Sequence, residues 1–403
     1  MKKIAFVLNS MNMGGTEKTF LNLINSMNLE EFDITLYLLE KEGELLKDVP
    51  ASVKIIEIEN YKLIKQYVHN NIYQIVKKEI ENYHFFRALK FGISYTISKI
   101  KKDITIYYDS FSNIINHIEV DYDLVAAYQG PMNYITYLVD KKFYSSKKVC
   151  WIHFDISKMG YTREGASKIY QNIDKIFIVS SYAKGQFVRE FPELKEKCEV
   201  FYNILPKQEI LKKANLIPDV VFDDEYINIL TIGRISRQKG HDIIPKILNT
   251  VRNKGFRVRW YLIGGVEKCD ANDPLDKLKY NINKYKLNEE IINLGIKENP
   301  YPYIKMCDIY VQPSRYEGYC TTTNEAKLFN VPIITTNISG ADEQFKDYKT
   351  GLIVEFDPDL IANKIIELIE NKNIYNDLKE NLKYENMNSC DSSENLLIDL
   401  LRN

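Results

Sequence analysis

The chain reads as an α/β protein with two parallel-sheet, Rossmann-like domains, and three observations carry that reading. Thirteen short apolar runs, most of them rich in Val, Ile and Leu, punctuate the sequence. Helical stretches separate these runs, which is the pattern of strands buried on both faces of parallel sheets. Thirteen strands exceed one comfortable open sheet, and 403 residues suit two domains of roughly 150–200 residues each.

In order, the first domain's strands are IAFVL (4–8), ITLYLL (34–39), VKIIEI (53–58), DLVAAY (123–128), KVCWIH (148–153), KIFIVSS (175–181) and CEVFYN (198–203). The second domain's are INILTIG (227–233), VRWYLIGG (258–265), IINLG (291–295), DIYVQPS (308–314), VPIITTN (331–337) and GLIVEF (351–356). The boundary falls in LPKQEILKKANLIPDVVFDDE, residues 205–225, giving domains 1–205 and 206–385 and a C-terminal piece 386–403. Helical patterns close the chain over 359–384 and about 391–402.

Hydrophobic residues make up 45% and charged residues 27%, as in soluble globular proteins. A formal net charge of −1 creates no field toward nucleic acid, which is excluded as a partner. Cys150, Cys198, Cys269, Cys307, Cys320 and Cys390 are scattered without a CxxC pair. That speaks against a zinc site or disulfide framework and fits a reducing cytoplasm. The opening MKKIAFVLNSMNMGG starts like a secretion signal, but its apolar core is only Ile4 to Leu8, so it is read as a core strand. No apolar run reaches the ~18–20 residues of a transmembrane span.

In sheets of this kind ligands sit beyond the carboxyl ends of the strands. One such end, PSRYEGYCTTTNEAK (313–327), holds Glu317 in the loop and Glu325 about one turn into a helix that starts near Thr321. Between them the helix start offers backbone N–H groups and a positive dipole end, a cradle for phosphate. Gly318 lets the backbone approach closely. Carboxylates accept paired hydrogen bonds from vicinal hydroxyls. The layout is therefore diol-binder, phosphate-binder, diol-binder, matching a sugar, a diphosphate and a ribose. Cations for a diphosphate follow the domain's first strand in TIGRISRQKGHD, where Gly233 and Gly240 bracket Arg234 and Lys239.

With these motifs in place, GRISRQKG followed by PSRYEGYCTTTNEAKLFNVPIITTNISGADEQFKDYKTGLIVE resembles the retaining glycosyltransferases of sequence family four, which have the GT-B fold. The likeness leans toward bacterial capsular and exopolysaccharide enzymes. It extends in order through NSMNMGGTEKTFLNLINSM, WIHFD, FYNI and NLGIKENPYPYIKMCDIYV. The resemblance implies two Rossmann-like domains facing across a cleft, with C-terminal helices returning toward the N-terminal, acceptor-binding domain. It implies that Arg234 and Lys239 grip the donor diphosphate, Glu325 holds the ribose and Glu317 contacts the donor sugar. Gly233, Gly318, Tyr319, Cys320 and Thr321 would line the donor site, Gly14 and Gly15 would face the diphosphate, and His153 would sit beside the transferred sugar. The implied donor is a nucleotide diphosphate sugar, UDP-linked, with no metal and no cofactor. One departure stands out: where the family often has Gly-Asp/Glu-Gly, this chain has Ile263-Gly264-Gly265-Val266, followed by the insertion EKCDANDPLDK.

Plainer readings stand beside these. A lone E-x7-E is more often a loop residue and a helix-surface residue, and His153 at a strand end is often a satisfied rim histidine. MGGTE could be a simple strand-to-helix turn, and Asp155 a cap for the following turn. The D-x-D strings Asp121/Asp123 and Asp357/Asp359 resemble the metal-holding pairs of transferases of another fold, but they fall at a strand start and a helix start. Two rival functions remain: a nucleotide-sugar 2-epimerase of the same fold, and a non-catalytic sugar-nucleotide-binding subunit.

Residues 61–102 carry nine basic against two acidic residues in a chain of net −1. Phe85, Leu89, Ile93 and Ile97 recur about one helical turn apart. This is either a core-packing helix with a solvated basic rim or a helix that lies on an anionic membrane. The second reading makes the protein cytoplasmic and peripheral on the inner membrane face, with a glycan or lipid-linked sugar as acceptor.

Overall fold

The structure, a computed structural model, describes residues 1–131, 133–158, 167–266, 274–388 and Leu397. It contains thirteen strands among the described residues, in the thirteen places the sequence marks. The chain divides into two units, one of Met1–Ile204 with Ser392–Asn403 and one of Leu205–Asp391.

The first unit holds a seven-stranded sheet of β1 (Lys2–Leu8), β2 (Phe32–Leu38), β3 (Lys54–Glu57), β4 (Ile118–Ala127), β5 (Phe143–Ile152), β6 (Lys175–Ile178) and β7 (Cys198–Val200). All neighbours are parallel, in the order β3-β2-β1-β4-β5-β6-β7. Side chains alternate along each strand, so both faces are covered: Ala5 and Val7 join one apolar cluster, and Ile4, Phe6 and Leu8 join the other. Leu397 belongs to the second of these clusters. Helices of this unit are α1 (Gly15–Ser26), α2 (Tyr61–His69), α3 (Ile72–Glu81), α4 (Phe85–Ile100), α5 (Thr105–Ser112), α6 (Asn133–Lys142) and α7 (Ser181–Glu190).

The second unit repeats the plan with six strands: β8 (Ile227–Ile232), β9 (Val258–Ile263), β10 (Ile291–Asn293), β11 (Ile309–Gln312), β12 (Ile333–Thr336) and β13 (Leu352–Val354). Their order is β10-β9-β8-β11-β12-β13, again all parallel. Here too Ile229 and Val311 face one core layer while Leu230 and Tyr310 face the other. In each sheet the order reverses beside the first strand, between β1 and β4 and between β8 and β11. The loops leaving two such adjacent strands diverge and leave a crevice at their carboxyl ends.

The C-terminal helical pattern over 359–384 is two helices rather than one, Pro358–Glu370 and Lys372–Asn388. Asn371 breaks it: its Oδ1 accepts from the backbone N–H of Asn373 (3.1 Å) and Ile374 (3.3 Å), so it caps the second helix. Asp357, not Asp359, caps the first, accepting from the N–H of Asp359 and Leu360. Of the pattern over 391–402, all but Leu397 lies outside the described residues.

Candidate active site

The second unit's crevice is built by two loops, 233–243 after β8 and 313–320 after β11. Lys239 and Glu317 meet there, Nζ to Oε1 at 2.6 Å. Ser314 Oγ donates to the same carboxylate oxygen at 2.8 Å, and Gln312 Nε2 donates to Ser314 Oγ at 2.9 Å. Gln312 Oε1 in turn accepts from Tyr310 and Thr322. A buried polar chain therefore runs from the end of β11 to the Lys239 ammonium. Burial works against the charge on Lys239, but the Glu317 carboxylate outweighs it and holds its pKa above the ordinary lysine value. The Lys239 stem lies across Gly233. Arg234, on the same loop, is exposed, and its charge opposes that of Lys239. Two cations thus lie on the loop after β8, and the Glu317 carboxylate joins one of them, Lys239, to the β11 loop.

What fixes the two loops against each other is Arg315. Its guanidinium forks onto Asp242, Nη1 to Oδ1 at 2.7 Å and Nη2 to Oδ2 at 2.9 Å. Its Nη1 also donates to the Arg237 carbonyl at 2.6 Å, and its backbone N–H to the Gln238 carbonyl at 2.7 Å. Burial alone would raise the Asp242 pKa, but Arg315 and Lys277 outweigh it and hold the carboxyl below its usual range. Gly240 completes the contact. It has φ +72°, and a Cβ there would lie 1.9 Å from the Pro313 carbonyl oxygen. His241 is fully buried next to this pair, with neither ring nitrogen hydrogen-bonded among the described residues. Burial, reinforced by the charge of Lys239 and opposed by Asp242, pushes its pKa down to about 3.

Glu325 sits in the helix Thr321–Lys327, which starts where the sequence places it and whose first residue follows Cys320, a cap without a side-chain hydrogen bond. Glu325 is buried and accepts from the Tyr301 hydroxyl at 3.2 Å. Burial and the Glu325 charge both raise the Tyr301 pKa, so it stays a donor. Gln344 braces the helix start, donating to the Cys320 carbonyl and accepting from Thr323. The Gly264–Gly265 departure has a packing reason: a Cβ on Gly264 would lie 2.1 Å from the Gly233 carbonyl oxygen, and Ile235 N–H bonds the Gly265 carbonyl at 2.7 Å. Most of the insertion after it, 267–273, lies outside the described residues.

In the first unit Gly14 ends the loop after β1, Gly15 opens α1, and His153 directly follows β5. Glu17 folds its carboxylate over Gly14. Gln129, just after β4, donates to Glu17 at 2.8 Å and accepts from the Asn9 N–H at 2.6 Å, joining the loops after β1 and β4. His153 is buried, and its Nε2 lies 2.7 Å from the Tyr128 carbonyl. A carbonyl only accepts, so Nε2 carries the proton. Burial pushes the ring's pKa down to about 4, with the Tyr128 hydrogen bond opposing, and the imidazole is neutral near pH 7. Asp155 caps the next turn through Ser157, accepting from its backbone N–H and hydroxyl. Three of the four D-x-D residues make local contacts: Asp123 pairs with Lys2, Asp357 caps a helix and Asp359 pairs with Lys246.

Of the second unit's proposed site residues the structure brings together Lys239, Glu317 and Gly233, with Arg234 on the same loop as Lys239 and Gly318 to Thr321 and Glu325 following Glu317 along the chain. Sequence reasoning passed over Asp242, Arg315, Gln312, Ser314, Tyr301, Glu17 and Gln129. Only Asp242, directly after the Lys-Gly-His string, carried any local signal.

Residues 212–384 match the family described as glycosyl transferases group 1. Among curated proteins, an uncharacterized 41.2 kDa protein in the cps region of Klebsiella pneumoniae is 28% identical over 60% of this chain and 66% of its own length. The N-acetylgalactosamine-N,N'-diacetylbacillosaminyl-diphospho-undecaprenol 4-alpha-N-acetylgalactosaminyltransferase of Campylobacter jejuni is 28% identical over 47% of this chain and 49% of its own. The capsular polysaccharide biosynthesis glycosyltransferase CapM of Staphylococcus aureus is 30% identical over 36% and 37%. The chain thus spans less than two thirds of the length of each of these relatives. Anabaena HepE in complex with UDP superimposes over 100% of both chains at a TM-score of 0.69 and 15% identity. S. aureus TarM does so over 100% of both at 0.65 and 14%. Likeness at that identity is one of fold, and with the two parallel sheets it makes this chain a GT-B protein. Residues 212–384, most of the second unit, belong to the glycosyl transferases group 1 family.

Proposed function

We propose that the protein is a retaining, metal-independent hexosyltransferase acting in capsular or other cell-surface polysaccharide synthesis. It moves a sugar from a UDP-sugar to a sugar hydroxyl on a lipid-linked acceptor. The observation that carries this reading is the meeting of Lys239, whose loop also carries Arg234, with Glu317 at the β8–β11 crevice, beside the start of a helix that holds Glu325. The fold likeness to a protein solved with UDP supports the donor. The partial match to an enzyme whose name specifies a diphospho-undecaprenol acceptor supports the lipid link.

In this reading Arg234 and Lys239 take the donor diphosphate, Glu325 the ribose and Glu317 the sugar. Gly14 and Gly15 approach the diphosphate. The backbone of Gly318 to Thr321 lines the site. The acceptor hydroxyl attacks from the face the phosphate leaves, and the leaving phosphate oxygen takes the acceptor's proton. Charge growing on that oxygen is stabilised by Arg234, Lys239 and the helix start, an electrostatic contribution that a closed site strengthens. His153, neutral and donating through Nε2 to Tyr128, has Nδ1 left as an acceptor for a sugar hydroxyl and is not a proton source. The Lys239–Glu317 pair means that a diphosphate entering the crevice shares Lys239 with Glu317.

The test is incubation with a panel of UDP- and GDP-sugars, following nucleotide release with and without sugar acceptors and with EDTA present. Acceptor-dependent release, insensitive to EDTA, with an anomeric configuration matching the donor, is expected. Conversion of the donor without acceptor would mean a 2-epimerase. Binding without turnover would mean a sugar-nucleotide-binding subunit.

A further inference from the structure

Helix α4 is apolar on the side that faces away from its own domain. Inward it packs with Ala88, Phe91 and Ser98, all buried. The stripe of Phe85, Leu89, Ile93 and Ile97 is not core: these residues are 57%, 62%, 49% and 37% exposed, and Phe86 beside them is 91% exposed. The core-packing alternative therefore fails for this face. With α3 the stripe forms an open groove of about 540 Å³, lined by apolar residues including Val76, Ile80, Phe85, Leu89 and Ile93. Exposed apolar surface this continuous marks an interaction site.

The rim of the groove is basic. At about 100° per residue Lys90 and Lys101 fall on one flank of the α4 stripe and Lys99 on the other. Among the described residues Lys78, Arg87, Lys90, Lys99 and Lys101 take part in no ion pair. Of the region's two acids, Glu79 is buried, accepting from Tyr67 at 2.7 Å and lying 3.1 Å from His84 Nδ1. That carboxylate ties α2, α3 and the turn into α4 together and leaves Glu81 as the region's remaining acid at the surface, 3.8 Å from Lys77.

We propose that the α3–α4 face is a docking surface for an anionic lipid bilayer. Phe85, Phe86, Leu89 and Ile93 enter the acyl boundary while the flanking lysines reach headgroup phosphates. An apolar stripe flanked by lysines on both sides matches hydrocarbon beneath an anionic plane, with lysine stems long enough to keep their charges in the headgroup layer. A second copy of this chain would bring the same cations against themselves. A nucleic acid would leave the apolar stripe wet. No described helix is long and apolar enough to cross a membrane, so the contact is peripheral.

The experiment is co-sedimentation with vesicles of phosphatidylglycerol or of phosphatidylcholine at low and high salt. It is paired with Phe86→Trp as a reporter, since the native Trp151 and Trp260 are buried. The expected result is binding to the anionic vesicles only, reversed by high salt, with a blue shift of the new tryptophan. Lys90→Glu, Lys99→Glu and Lys101→Glu together should weaken binding by about 100-fold. Leu89→Ser should weaken it at low salt, although it removes no charge. Wild type left in the supernatant with anionic vesicles at low salt overturns the proposal. So does binding without any change at position 86. So does a dimer that Leu89→Ser converts to monomer without vesicle binding, which would make a second copy the occupant. Nucleotide release with a water-soluble acceptor does not depend on this face, so its loss would count against the proposed transferase activity and not against docking.

Discussion

Lys239 and Glu317, one on each of the two loops that close the β8–β11 crevice, are joined Nζ to Oε1 at 2.6 Å in a largely buried setting. The ion pair couples the proposed phosphate-binding residue to the proposed sugar-binding residue. Removing either leaves the other as an uncompensated charge, which is costly where water is scarce. Lys239→Ala and Glu317→Gln should each lower kcat/KM about 10- to 100-fold, but the double variant should be no worse than the poorer single, with a coupling of about 0.5–3 kcal/mol. A full double-mutant cycle in which the losses multiply would show the pair to be functionally independent. Arg234, exposed and outside this pair, should lose about 10- to 100-fold on replacement by Ala and add independently.

Glu325 and Tyr301 belong to the nucleotide half of the proposed site. Glu325→Ala should weaken free UDP binding strongly, and Tyr301→Phe, which deletes the 3.2 Å bond to Glu325, by about 3- to 10-fold. Calorimetry with UDP decides it. An unchanged affinity in both would move the ribose elsewhere.

The Arg315–Asp242 fork should act through position rather than contact with substrate. Arg315→Lys keeps the charge but cannot hold both carboxylate oxygens and the Arg237 carbonyl at once. A fall of about 10-fold in kcat with little change in melting temperature is expected. A large drop in melting temperature with normal kcat would make the fork purely structural. Gly240→Ala should be more damaging, because both the φ of +72° and the 1.9 Å approach to Pro313 forbid a Cβ.

His153 and His241 contribute to the acid limb of stability. Both are buried, with pKa values pushed from 6.5 down to about 4 and about 3. Between those values and 6.5 the unfolded chain binds more protons than the folded one. Stability therefore falls as pH falls through that window, by up to about 1.4 kcal/mol per pH unit for each histidine, and is unaffected by them above it. Urea midpoints at pH 7.5, 6 and 4.5 measure this. His241→Leu fills the space without a titrating group and should flatten the slope relative to wild type. An identical slope would mean that His241 does not titrate as assigned.

The sheets were legible in the sequence because a strand buried on both faces must be apolar at nearly every position, whatever its neighbours. The residues Ile4 to Leu8 and Ile309 to Gln312 declare themselves without any partner in view. The glutamate pair was legible for a related reason: a strand, a glycine-bearing loop and a helix start lie within fifteen consecutive residues, so Glu317 and Glu325 are placed by local structure alone. The single-residue break at Asn371 was missed because the apolar period continues across it while a side-chain cap restarts the helix.

The sequence by itself determined which residues share a strand, a loop or a helix face, since those follow from backbone period and local sterics. It could not decide what each face meets. Arg315 finds Asp242 across 73 residues, and Gln129 finds Glu17 across 112, only because parallel strands of one sheet bring their loops side by side. The stripe of Phe85, Leu89, Ile93 and Ile97 has the same spacing whether it is buried or exposed. Its exposure is a property of the packing, in which Ala88, Phe91 and Ser98 take the inward side of α4 and no described residue of this domain covers the other.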